Sequence, residues 1–207
     1  MKTFGKPTDQ SGFGARQIDA CHADLGESEL ARERPDMGDE LSSADHLPIV
    51  ETRRWASEGD TAAFACALAA VIRAEPALGE IFIALHGDLG AGKTTLTRHL
   101  LRALGVTGRI KSPTYTVVEP HQGAGGLTIH HFDFYRFNDP REWDDAGLRD
   151  LFAGPGLKLA EWPDNAAGRI PIADLAIKME AMNDESRSVT IQAASARGQK
   201  LLAAASA

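Results

Sequence analysis

Apolar residues along this chain fall into three patterns: continuous runs, positions three or four apart, and strict alternation. Ile81-Phe82-Ile83-Ala84-Leu85 is a continuous apolar run, which suits a strand buried on both faces of a parallel sheet. Leu96, Leu100, Leu101 and Leu104 recur at helical spacing, and Gly105 sits where a helix C-cap belongs. Upstream, Phe64, Leu68 and Ile72 share one helix face, with Asp60 as the expected N-cap. Leu47 to Thr52 reads as extended. Val117-Val118 is strand-like, and Gly123-Ala124-Gly125-Gly126 is a turn. Leu127 to Phe132 reads as a strand ending at Asp133, and Leu157 to Ala160 as another ending at Glu161. Between them, Pro140 to Phe152 predicts a short acidic helix. Leu175, Ile177 and Met179 alternate, as do Val189 and Ile191, with Asn183-Asp184-Glu185-Ser186 between, which predicts a hairpin.

Helices and strands that alternate before a terminal hairpin predict an α/β fold. The expectation is three layers, with a mainly parallel sheet and a C-terminal antiparallel hairpin. Residues 1–46 carry Gly, Pro, Ser and acidic residues with no sustained period, so they predict a disordered extension. Met37 offers an alternative start. The folded domain is expected over 47–195, with 196–207 a frayed helix or tail.

Charge narrows the function. The formal net charge is −7 and the pI about 5.5. Such a chain lacks the basic footprint of a stand-alone nucleic-acid binder. Cys21 and Cys66 have no metal-like spacing, and Cys66 is expected as a small core residue. The N-terminus has no signal-peptide core, and the longest uncharged stretch, Thr61 to Ile72, is too short to span a bilayer. A cytoplasmic protein is expected, with no membrane partner.

The chemistry is concentrated in residues 87–94, G-D-L-G-A-G-K-T, which fill every fixed position of the P-loop pattern G-x-x-x-x-G-K-[ST]. Glycines let the backbone form a nest of N–H groups facing phosphate oxygens. Lys93 supplies a point charge, and Thr94 a hydroxyl suited to Mg²⁺. The strand before and the helix after give the context this loop needs, a phosphate at a helix N-terminus. Two carboxylates fall where ligands of open α/β sheets gather, at strand carboxyl ends: Asp133 and Glu161. Each is in place to reach Mg²⁺ or to orient an attacking water.

Other polar residues have competing readings. Asp88 is expected to brace the turn through backbone N–H groups. His130 and His131 point to opposite sheet faces, so they form no metal pair and are expected in packing roles. Thr114 and Thr116 lie in a loop suited to sensing a γ-phosphate. Arg136 suits neutralising phosphate, facing a partner or an ordinary surface role, and Trp162 packing beside the nucleotide or filling core. A guanine-selecting N-K-x-D is absent, and the D-x-x-G at Asp144 to Gly147 follows no apolar strand. ATP is favoured by this elimination. A small-molecule kinase of the P-loop class remains the alternative, because D-F-Y-R resembles acid-plus-Arg pairs that grip an acceptor.

Four blocks occur in order: G-D-L-G-A-G-K-T-T-L (87–96), K-S-P-T-Y-T-V-V-E-P (111–120), H-F-D-F-Y-R (131–136) and E-W-P (161–163). Together they resemble the TsaE family of bacterial P-loop ATPases, over about residues 57–192. The resemblance implies a P-loop NTPase fold and a role in making threonylcarbamoyladenosine at position 37 of tRNA. It implies an ATPase that assists the transferase subunit and its dimerising partner, of the TsaD and TsaB type, rather than transferring the group itself. Contact with tRNA would then come through that complex. By motif, the resemblance places Leu89, Gly90, Ala91, Gly92, Lys93, Thr94 and Thr95 at the nucleotide. Thr94 and Glu161 match the magnesium positions, and Asp133 the acid at the γ end. Lys93, Asp133 and Glu161 are the implied catalytic set. Segments near Glu58 and Asn183 match regions that approach the nucleotide. The N-terminal extension departs from the short family members, while Tyr115 and Phe134 vary within apolar or aromatic positions.

Overall fold

In the computed structural model, which describes residues 47–137, 143 and 147–206, the apolar run at 81–85 becomes the central strand of a seven-stranded sheet. The expected disordered extension, Cys21, Met37, Asp144 and most of 140–147 lie outside the described residues. The strands are β1 (Ile49–Trp55), β2 (Phe82–His86), β3 (Val118–Gln122), β4 (Thr128–Asp133), β5 (Leu157–Glu161), β6 (Leu175–Ala181) and β7 (Arg187–Ala193). Their order is β1-β7-β6-β2-β5-β4-β3.

The sheet is mixed, which meets the mainly parallel expectation only in part. β6, β2, β5 and β4 run parallel, whereas β1–β7, β6–β7 and β3–β4 pair antiparallel. The β6–β7 hairpin was expected from its alternation. The β3–β4 pairing follows from the same physics, because the glycine turn at 123–126 is too short for a parallel crossover.

Alternation along β2 builds two cores. Ile83 and Leu85 face helices α1 (Glu58–Ala74) and α2 (Lys93–Ala103), together with Leu68, Leu96, Leu100 and Leu101. Phe82 and Ala84 face the other way, against Phe132, Phe134, Phe137 and Leu148 on the short helix α3 (Leu148–Ala153). Each fully buried Leu or Phe contributes about 1.5–3 kcal/mol over the exposed state. Helices and loops thus flank the sheet on both sides, giving three layers. This places the P-loop at the carboxyl end of a doubly covered strand.

Local expectations are adjusted at three points. Helix α1 starts earlier than expected: Ser57 is its N-cap, and Asp60 is the third helical residue, its carboxylate accepting from the N–H groups of Ala56 and Ser57 at 2.8 and 2.9 Å. Cys66 is half-buried on α1 rather than enclosed. The 196–207 stretch, expected as a frayed helix or tail, contains helix α4 (Ala196–Ala205), with Leu201 and Leu202 buried in the α1-side core. Ser195 caps α4 by accepting from Gly198 N–H at 3.1 Å.

Candidate nucleotide site

Three parallel strands end together at one edge of the sheet. Glu161 closes β5, Asp133 closes β4, and the two stand opposite each other in the strand register. Leu85 of β2 pairs with Glu161 on its other side. The chain leaves β2 through His86 and turns directly into the loop at 87–92, so loop and carboxylates converge. This is the strand-end geometry that collects ligands in open α/β sheets.

Glycine geometry shapes the loop. Gly87, Gly90 and Gly92 all have positive φ, at 132°, 82° and 110°. A Cβ on Gly87 would lie 2.2 Å from the carbonyl oxygen of Met179 on β6, so only glycine lets the chain pass. A Cβ on Gly90 would meet nothing within 4 Å. That space is open, and Gly90 itself lines the cavity described below. Asp88 closes the turn with its backbone carbonyl, accepting from Ala91 N–H at 3.1 Å, rather than through its side chain as expected.

Helix α2 begins at Lys93, immediately after Gly92. The Lys93 side chain is only 4% exposed, and its ammonium donates to the carbonyls of Gly87 and Asp88 at 2.6 and 2.8 Å. It also rests 3.7 Å from the centre of the Trp162 ring. Burial lowers the Lys93 pKa from its ordinary value, against the opposing pull of Glu161, Asp133 and Asp88.

Thr94 donates its hydroxyl proton to Glu161 Oε2 at 2.7 Å. Glu161 Oε1 accepts from Thr97 at 3.4 Å and from His131 Nε2 at 2.9 Å. Asp133 is tied to a different element. Its Oδ2 accepts from Ser112 Oγ and, at 2.8 Å, from Thr114 Oγ1, while Oδ1 accepts from Tyr135 N–H at 2.9 Å. Glu161 is thus coupled to the loop helix, and Asp133 to the S-P-T segment.

These groups surround a cavity of about 320 Å³. Leu89, Gly90, Gly92, Lys93, Thr94 and Thr95 line it from the loop side, and Ser112, Thr114, Asp133, Tyr135, Glu161 and Trp162 from the sheet side. Most residues expected at the nucleotide therefore share one cavity. Three do not. Ala91 is buried and lines a smaller neighbouring cavity of about 130 Å³ with Glu58, Gly92, Thr95, Glu185 and Arg187. Glu58 stands there with His99 Nε2 2.9 Å from its Oε1. Asn183 lines neither cavity; Glu185 and Arg187 of the same hairpin region do, and Arg187 Nε donates to Ala91 O at 3.0 Å.

The undecided residues also find places. Thr114 lines the main cavity, whereas Thr116 is exposed and does not. Arg136 stacks 4.2 Å from the centre of the Tyr115 ring and donates to its hydroxyl at 3.2 Å. Trp162 both walls the cavity and joins the second core. His131 was expected in packing alone; its link to Glu161 was not legible, because residues thirty apart in sequence meet only through the β4–β5 pairing.

A larger cavity of about 500 Å³ is lined by His86, Asp88, Trp162, Asp164 and Lys178 among others. It has neither Thr94 nor the Asp133–Glu161 pair. The chemistry therefore points to the 320 Å³ cavity, where a glycine-lined cradle, a cation and carboxylate and hydroxyl oxygens coincide. An all-oxygen donor set of hydroxyl and carboxylates suits a hard cation such as Mg²⁺. Among the described residues no helix is long and apolar enough to cross a membrane.

Comparison with known proteins places the chain in a family. The family described as "Threonylcarbamoyl adenosine biosynthesis protein TsaE" matches residues 55–189. A Haemophilus influenzae protein named tRNA threonylcarbamoyladenosine biosynthesis protein TsaE is 42% identical over 124 residues, covering 60% of this chain and 77% of its own length. A Bacillus subtilis protein of the same name is 37% identical over 119 residues, covering 58% and 73%. The crystal structure of Bacillus YdiB superposes with a TM-score of 0.59 at 26% identity, over 78% of this chain and 97% of that one.

Proposed function

This chain belongs to the TsaE family, and on that premise we propose that it is an ATP-binding, magnesium-dependent ATPase subunit that supports threonylcarbamoylation of adenosine 37 in tRNA. In this reading it acts with a transferase subunit and its dimerising partner, of the TsaD and TsaB type, and reaches tRNA through them. The observation that carries the ATPase part is the 2.7 Å hydrogen bond from Thr94 to Glu161 at the mouth of the P-loop.

The residues divide the work as follows. The backbone N–H groups of 89–94 and the N-terminus of α2 bind the phosphates. Lys93 leaves the carbonyls of Gly87 and Asp88 to put its charge on the β- and γ-phosphate oxygens. Thr94 and Glu161 would hold Mg²⁺, which would supply positive charge against the phosphate oxygens. Asp133 orients the attacking water and accepts its proton; Ser112 and Thr114 hold its carboxylate at the γ end. Trp162 walls the site and limits solvent beside Lys93.

The chain's acidity supports the need for partners, since a net charge of −7 disfavours binding phosphate-rich tRNA alone. The test follows free phosphate from ATP and Mg²⁺ with the chain alone, with the transferase pair, and with candidate small-molecule acceptors. Free phosphate that rises with the transferase pair supports the proposal. Phosphate transferred stoichiometrically to a small acceptor without partners identifies a kinase instead.

A further inference from the structure

We infer that His131 is a positioning residue for Glu161: its buried imidazole fixes one carboxylate oxygen so that the other is held toward Thr94. The inference rests on the magnesium reading of Glu161 given above.

His131 is fully buried on β4 and does not line the cavity, so it acts only through another group. It shares a strand face with Ile129, which belongs to the apolar α1-side core. Packing alone would be served there by an aliphatic residue. The imidazole instead brings Nε2 to 2.9 Å from Glu161 Oε1. A carboxylate oxygen only accepts, so Nε2 carries the proton. Among the described residues Nδ1 has no hydrogen-bond partner, so the Nε2 contact to Glu161 is the polar link of this ring. The His121 ring lies near-parallel to the imidazole, with centroids 6.3 Å apart.

The two oxygens of Glu161 are thereby distinguished. Oε1 is held by His131 and, at longer range, by Thr97, while Oε2 meets Thr94 at the cavity. A glutamate has several rotatable bonds, and a ligand free to swing costs ordering entropy when a cation binds. Anchoring Oε1 from behind removes that cost before binding, as partners behind metal ligands commonly do.

The test measures ADP affinity of the full-length chain with Mg²⁺ and with EDTA, in wild type, Glu161→Ala, His131→Phe and His131→Gln. The gain in affinity due to Mg²⁺ is expected to fall about tenfold or more in His131→Phe. The EDTA affinity should stay unchanged, and His131→Gln, whose amide N–H reaches the Nε2 position, should recover most of the gain. A folded His131→Phe that keeps the whole gain overturns the inference, as does a His131→Gln that loses as much as His131→Phe. If wild type shows no Mg²⁺ gain, or Glu161→Ala keeps it, the magnesium reading itself fails and this inference with it. Should His131→Phe not fold, ¹⁵N-histidine spectra of the wild type decide. The His131 Nε2–H resonance must be present, and must move with Mg²⁺-ADP but not with ADP and EDTA. An unprotonated Nε2 or an unmoved resonance overturns the inference.

Discussion

Thr94 and Glu161, sixty-seven residues apart, meet in a 2.7 Å hydrogen bond that joins the first turn of α2 to the last residue of β5. The contact brings a P-loop hydroxyl to a strand-terminal carboxylate. Replacing Glu161 by Ala should lower ATP turnover about 100-fold or more, as losing one preorganised charged group in a site typically does. Metal-free nucleotide binding should be largely retained, because the loop N–H groups and Lys93 are untouched. Turnover in the presence of partners, set beside ADP affinity in EDTA, checks both halves.

Lys93 gives the pH dependence. Burial lowers its pKa below the ordinary 10.5. Between that lowered value and 10.5, the unfolded chain holds more protons than the folded one, so this group makes stability rise with pH across that window. Phosphate oxygens favour the charged ammonium and pull the pKa back up. Triphosphate binding in that window should therefore take up a proton, and affinity should weaken as pH climbs through it. Calorimetry at alkaline pH in buffers of different ionisation enthalpy measures the uptake. Lys93→Met should abolish it and weaken binding; equal uptake in the variant would place the proton elsewhere.

Gly87 and Gly90 should respond differently to alanine. At Gly87 the new Cβ would clash with the Met179 carbonyl at 2.2 Å, on top of an unfavourable φ. A backbone clash plus left-handed strain should cost roughly 2–4 kcal/mol. At Gly90 the Cβ meets open space, so only the φ cost of about 1 kcal/mol applies. Gly90→Ala should instead lose nucleotide affinity, because it adds bulk and left-handed strain at a residue that lines the cavity. Urea midpoints and ADP titrations of the two variants separate these outcomes.

The C-terminal helix is part of the folded core. Leu201→Ala removes a fully buried side chain and should cost about 2–5 kcal/mol. The urea midpoint should fall without a change in the metal dependence of ADP binding, since α4 does not reach the site.

Much of this site could be read from the chain because its parts are local or lie at strand ends. The P-loop is contiguous, and Asp133 and Glu161 each close a recognisable apolar run. The four-block resemblance supplied the family, and the match over 55–189 agrees with it. What escaped depends on pairing between distant residues. The role of His131 needs the β4–β5 register, and Arg187 reaches Ala91 only because the hairpin folds beside the loop. The antiparallel β3–β4 pair was implicit in a short glycine turn that was read only as a turn. Helix α4 was underestimated because its alanine-rich sequence shows only two large apolar residues, and these gain meaning once α1 covers them.

The most direct test of the proposed function is the content of threonylcarbamoyladenosine in tRNA from a cell depleted of this protein, re-supplied with the wild-type chain or with Glu161→Ala at equal abundance. The wild type should restore the modified nucleoside and the variant should not. Modified adenosine that persists without the protein, or returns fully with Glu161→Ala, would contradict the account.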